Sequence, residues 1–206
     1  MKIIEKYREN YILIRRTIIS LNTINYLLKI VLAVISKSLL LFIYSFYNIS
    51  INLAKRTSLR EHTNYKYENY YFCGIIVLIS SIVYIIYSNY IYVYGSNIRY
   101  SMYTALGIAT LAFYNITIAI IGIVKAKKDK NLTMETIKLT NLASSLISMS
   151  LTQTAILSFT NAEDMSKYNG IGGIFFGTLS MIIGIYMIIY TIKVKRNAFV
   201  FDINDN

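Results

Sequence analysis

Four uncharged runs of 24 or 25 residues, at 70–94, 100–124, 139–162 and 168–192, fill most of the chain after residue 69. As helices rising about 1.5 Å per residue, each covers roughly 36 Å, enough to cross a bilayer with some tilt. Tyr gathers at their ends (Tyr70, Tyr71, Tyr90, Tyr92, Tyr94, Tyr100 and Tyr103), as interfacial aromatic belts do. A hydrophobic content of 55% and a mean hydropathy of +0.48 lie beyond the usual soluble range. The expected fold is all-α: an integral membrane four-helix bundle over 70–192, with a cytoplasmic tail over 193–206.

The third run, LTNLASSLISMSLTQTAILSFTNA, differs from the other three. It is full of Ser and Thr and carries two Asn and one Gln, and lipid offers their hydroxyls and amides nothing to bond to. Helical spacing puts Asn141, Ser144, Ser145, Ser148 and Thr152 on one face and Ser150, Gln153 and Thr154 on another. Asn115, midway along the second run, is the expected cross-helix partner for one of them. Two uses fit this pattern. The face lines a path for a polar solute, or it holds the bundle together, with Ser and Thr also bonding back to their own helix.

The fourth run contains Gly173-Ile-Phe-Phe-Gly177, continued by Ser180 and Gly184 into a stripe of small residues. Ala105, Ala109, Ala112 and Ala119 make a similar stripe in the second. Small side chains let two backbones approach, which is how helices associate where lipid is as apolar as they are. Such a stripe serves packing inside one bundle or a homodimer face.

Residues 1–69 are more polar. Charges run from Lys2 to Arg16 with no apolar core and cleavage site behind a short basic tip, so no cleavable signal peptide is expected. From 17 to 54 apolar residues are interrupted by two polar stripes at helical spacing: Asn22, Asn25, Lys29, Ser36 and Ser38, Ser45, Asn48, Asn52, Lys55. That is the pattern of amphipathic helices lying in the interface, polar side up. The alternative is a tight pair of spans turning at Ser36-Lys37-Ser38. The interfacial arrangement is preferred because Asn22, Asn25 and Lys29 are costly at mid-bilayer.

Orientation follows from Lys and Arg. Segments 1–69, 125–138 and 193–206 hold 11, 5 and 3 of them, against only Arg99 and Lys167 in the opposite loops. The positive-inside rule then places both termini in the cytoplasm of a multi-pass cell-membrane protein. The net charge of +11 is explained by this distribution and by attraction to anionic headgroups, without nucleic acid.

No catalytic, cofactor or metal pattern is present. His62 stands alone in a basic loop, without a second His or a Cys at zinc spacing. Cys73, the single cysteine, has no His base beside it and forms no internal disulfide. Glu163 and Asp164 sit together on an outer loop. Ion-coupled carriers keep carboxylates, His or Lys within the membrane, and the four runs have none.

The run KLTNLASSLISMSLTQTAIL at 138–157, with YNGIGGIFFG at 168–177, resembles an uncharacterised group of small multi-pass membrane proteins from low-GC Gram-positive bacteria. The resemblance extends over most of the chain and implies a bacterial cell membrane. It implies no activity, cofactor or site residue. The functional expectation is a non-enzymatic protein acting through helix–helix association with itself or a membrane partner. The alternative is a small-solute transporter or channel component with a Ser/Thr/Asn-lined path.

Overall fold

The computed structural model describes residues 39–58, 66–95, 100–160 and 164–204, together with 14, 17–24, 26–28, 30, 31 and 34. Five long helices occupy them: α1 (Leu39–Ser58), α2 (Lys66–Tyr94), α3 (Met102–Lys128), α4 (Leu132–Thr160) and α5 (Ser166–Asn204). No strand occurs among the described residues. Lys66–Tyr94, Met102–Lys128 and Ser166–Arg196 are each long and apolar enough to cross a membrane. The chain is an all-α membrane protein.

The helices overrun the uncharged runs that predict them, because Lys and Glu are good helix formers once headgroups or water can solvate them. At its start α3 is capped by Ser101, whose Oγ accepts from the Thr104 amide at 3.3 Å. Its last turn holds Lys125, Lys127 and Lys128, cations that complement the carbonyl end of the helix dipole. The chain reverses over only three residues. Asp129 N–H bonds back to the Lys125 carbonyl, Lys130 takes a left-handed φ of 49°, and Asn131 Oδ1 accepts from Met134 N–H at 3.0 Å to start α4. The expected basic loop at 125–138 is thus mostly helix, and α3 and α4 form an antiparallel hairpin.

The polar helix is the central one. α4 touches all four others, and its Ala143, Ile147, Leu151 and Ala155 are buried at steps of four. Its burial compensates for a hydroxyl content that keeps it out of the plainly apolar class.

α2 and α5 make the closest approach. A Cβ on Gly184 would lie 2.8 Å from the Leu78 nitrogen and 2.9 Å from the Gly74 carbonyl, and one on Gly177 would lie 2.7 Å from Ile85. Ser180 and Gly173 continue this line, with Gly173 against Ser88. The stripe of the fourth run is therefore used inside the chain. The stripe of the second run packs on α4: Ala105, Ala112, Ala119 and Ala126 are all buried at intervals of seven, and Ala109 is half-buried beside them. Most of the rest of α3 faces outward.

α1 packs against the bundle, with its polar stripe inward. Ala54 O accepts from Cys73 Sγ at 3.0 Å, and Tyr47 Oη lies 2.7 Å from Ser180 Oγ, halfway along α5's apolar run. Tyr47 also stands edge-on to Tyr84 of α2, so stepping back from Ala54 along α1 means stepping forward from Cys73 along α2, and α1 is antiparallel to α2. Its polar stripe turns inward, with Ser45, Asn48 and Asn52 buried while Phe42, Phe46 and Leu53 are exposed. The spacing correctly groups these residues on one face, but periodicity does not say whether that face meets headgroups or neighbouring helices. Earlier still, Tyr26 packs edge-on against Tyr44 with ring centroids 6.4 Å apart, and Ile19 packs on Ile137. Asn25, Lys29 and 35–38 lie outside the described residues, as does His62.

The end of α1, the start of α2, the α3–α4 turn and the basic part of α5 gather at one end, where Ser58 Oγ reaches Thr133 O, Lys195 pairs with Glu68 at 3.7 Å, and Lys127 Nζ lies 3.4 Å from Tyr186 Oη. At the other end Tyr100 N–H donates to Ser158 Oγ at 3.1 Å. There Asp164 takes both the amide and the hydroxyl of Ser166, contacts that hold its carboxyl below the usual range.

Gly184→Ala is expected to destabilise the protein by about 1–3 kcal/mol, because its Cβ meets backbone that cannot yield. Gly107→Ala, with open space around it, is expected to be neutral or slightly stabilising. Thermal unfolding in detergent checks the pair, and equal midpoints would contradict the described approach of α2 and α5.

Candidate functional site

Polar side chains inside the bundle form the natural place to look for function. Ser180 is fully buried and joins three helices. Its Oγ lies 2.7 Å from Tyr47 Oη of α1 and 2.8 Å from Ser81 Oγ of α2, and Ser81 also reaches the Val77 carbonyl at 2.7 Å. Tyr84 Oη donates to Ser150 Oγ of α4 at 3.1 Å, and its ring stands edge-on to Tyr47 at 6.1 Å. Ser144 donates to Asn48 Oδ1 at 2.8 Å, while Asn48 Nδ2 donates to the Tyr44 carbonyl at 2.8 Å. Tyrosine suits these positions, since it fills apolar space with its ring and ends in a hydroxyl that finds a partner.

The residues expected to line a polar path are arranged differently. Ser145 donates to the Asn141 carbonyl at 2.8 Å, Ser148 to Ser144 at 3.1 Å and Thr152 to Ser148 at 3.0 Å. Each hydroxyl is satisfied four residues back in its own helix. Ser145 and Thr152 are buried, and Asn141 and Ser148 half-buried. Gln153 Nε2 donates to the Tyr168 carbonyl at 2.9 Å, and its amide fills the notch at Gly172. Asn115 does not meet α4. It lies exposed on α3, midway between Met102 and Lys128. Three residues after Ala112 and four before Ala119, it flanks the Ala seam and remains exposed at the seam's edge.

The sequence pattern did not single out Tyr47, Ser81 or Tyr84 as junctions. Their signal was available only as Tyr and Ser at helical spacing within apolar runs, which many lipid-facing belts share. Asn48 and Asn52 belong to the polar stripe of α1, which the structure turns inward. Among the buried polar atoms of the described residues, Ser45 Oγ, Asn52 Nδ2 and Asn169 Oδ1 have no hydrogen-bond partner.

Cys73 is buried, with its thiol on the Ala54 carbonyl and Thr57 Oγ1 3.7 Å away. Among the described residues no three of His, Cys, Asp and Glu come together as a metal site requires. No protein-family model matches the chain, and no curated protein matches it.

Ser180→Ala removes the shared partner of Tyr47 and Ser81 and is expected to cost about 0.5–2 kcal/mol. Ser148→Ala removes a bond to its own helix and is expected to stay within about 0.5 kcal/mol of wild type. Chemical or thermal unfolding in detergent distinguishes them, and a larger loss at Ser148 would contradict this ranking.

Proposed function

We propose that the protein is a multi-pass protein of a bacterial cell membrane, non-enzymatic, and working through helix–helix contact with a second copy or another membrane protein. Four spans, 70–94, 100–124, 139–162 and 168–192, are supported by the three apolar helices together with the central, buried position of α4. In sequence, 19 of 21 Lys and Arg fall in segments 1–69, 125–138 and 193–206. The described ones in the last turn of α1, the α3–α4 turn and the end of α5 lie at one end, which supports a cytoplasmic placement of that end and of both termini. The packing of α1 at bundle depth favours the spanning pair turning near Ser36-Lys37-Ser38 over helices lying in the interface.

The observation that carries the association reading is Asn115. Its amide is exposed at the centre of an apolar span and has no hydrogen-bond partner among the described residues. An amide facing hydrocarbon is costly, and a polar residue on a neighbouring helix relieves it. The Gly173, Gly177 and Gly184 stripe is already occupied by α2, which leaves the outer face of α3 for a partner. Asn115→Leu is expected to lower the mass of the complex purified in mild detergent, with the fold retained. A monomeric, partnerless protein that moves a solute in vesicles would overturn the reading.

A second reading, a polar solute path, draws support from one observation. Ser45 Oγ and Asn52 Nδ2 are buried on the inward face of α1 without partners among the described residues, and unsatisfied groups of this kind favour a hydrated interior. It predicts that Asn52→Leu abolishes solute flux in vesicles without changing assembly. A cysteine at Lys37 discriminates the two placements of the N-terminal region. Labelling by an impermeant reagent from outside is expected for the spanning pair, and labelling only from inside contradicts it. The buried Cys73 gives little background.

A further inference from the structure

At the basic end of the α3–α4 hairpin, an open-sided cleft of about 280 Å³ lies beside the alanine seam, bordered by both helices. Ile118 and Ile121 of α3 form its apolar side, with Lys125 one turn and Lys138 one hairpin arm away. Along α3, Lys125 lies about 10 Å closer to the basic end than Ile118. A charged part and an apolar part are thus stacked along the direction in which a lipid would lie.

Gly122 builds the charged part. A Cβ there would run into the methylenes of Lys138, so the missing side chain makes the notch through which the lysine stem crosses α3. Lys125, Lys127, Lys128 and Lys130 surround the turn, opposed there by Asp129, which also borders the cleft with Asn131. Lys55, in the last turn of α1, lies near enough to Lys138 for the two charges to repel. Desolvation first, and then Lys138, hold the Lys55 ammonium down to about 8. An anion at this end relieves that repulsion.

We infer that the cleft binds an anionic phospholipid of the cytoplasmic leaflet, its phosphate between Lys125 and Lys138 and its first acyl segment along Ile118 and Ile121. The inference rests on the proposed cytoplasmic placement of segment 125–138. Basic pockets between spanning helices recognise anionic headgroups in this way. A soluble phosphate satisfies the lysines but leaves Ile118 and Ile121 uncovered, and both are exposed. A lipid covers both parts with one molecule.

Native mass spectrometry of the full chain in non-ionic detergent tests it, with dihexanoylphosphatidylglycerol as the probe. Dihexanoylphosphatidylcholine and glycerol phosphate serve as comparisons. The phosphatidylglycerol is expected to bind tightest. Lys125→Gln or Lys138→Gln should weaken it about fivefold, and the pair about thirtyfold. Gly122→Ala should weaken it while leaving the thermal midpoint unchanged, because the flexible Lys138 arm is re-aimed and no backbone is displaced.

Unchanged affinity in the double Lys variant would overturn the site. Equal losses in a Lys127→Gln, Lys128→Gln pair would overturn it as well, reducing it to a general basic field. Competition by glycerol phosphate as strong as that of the lipid would overturn the lipid as occupant. A cysteine at Lys130 labelled from outside the cell would overturn the cytoplasmic leaflet while leaving binding in detergent intact. The site and the placement therefore fail by different measurements.

Discussion

A helix rich in Ser and Thr has to be placed where its hydroxyls are satisfied, and much of this architecture follows from that requirement at α4. Hydrocarbon supplies no partners, so the polar helix sits in the middle, in contact with the other four. Two kinds of bond resolve the demand. Ser145, Ser148 and Thr152 turn back to carbonyls of their own helix and ask nothing of the neighbours. Ser144 and Ser150 instead reach Asn48 of α1 and Tyr84 of α2, which ties the register of those helices to that of α4.

Close packing is divided between residue types. Where backbones come nearest, between α2 and α5, glycines line the contact, and dispersion between main chains replaces the hydrophobic effect that lipid cannot supply. Between α1, α2 and the helices they face, Tyr47 and Tyr84 stand edge-on to each other and their hydroxyls close on Ser180 and Ser150. The α3–α4 seam is a third solution: alanine every seventh residue allows a long narrow contact that leaves most of α3 on the outside. The exposed Asn115 amide and the cleft around Gly122 both involve α3, one at mid-helix and the other at its lysine-rich end.

The sequence alone determined the class and the elements. Uncharged runs of 24 or 25 residues specify helices long enough to span, because the bilayer sets the length and the backbone sets the hydrogen bonding. The grouping of Ser45, Asn48 and Asn52 on one face, and of the glycines and alanines on theirs, was legible for the same reason: 3.6 residues per turn fixes which side chains share a side. Tertiary structure alone decided which way each face points. A polar stripe is equally at home against headgroups or against another helix's hydroxyls, so α1 read as interfacial until Tyr47 and Cys73 showed it beside the bundle. Likewise spacing sets Asn115 beside Ala112 and Ala119, yet only the packing of the alanine seam leaves it exposed at the seam's edge, because how far a neighbouring helix covers a flanking position depends on how the two helices meet.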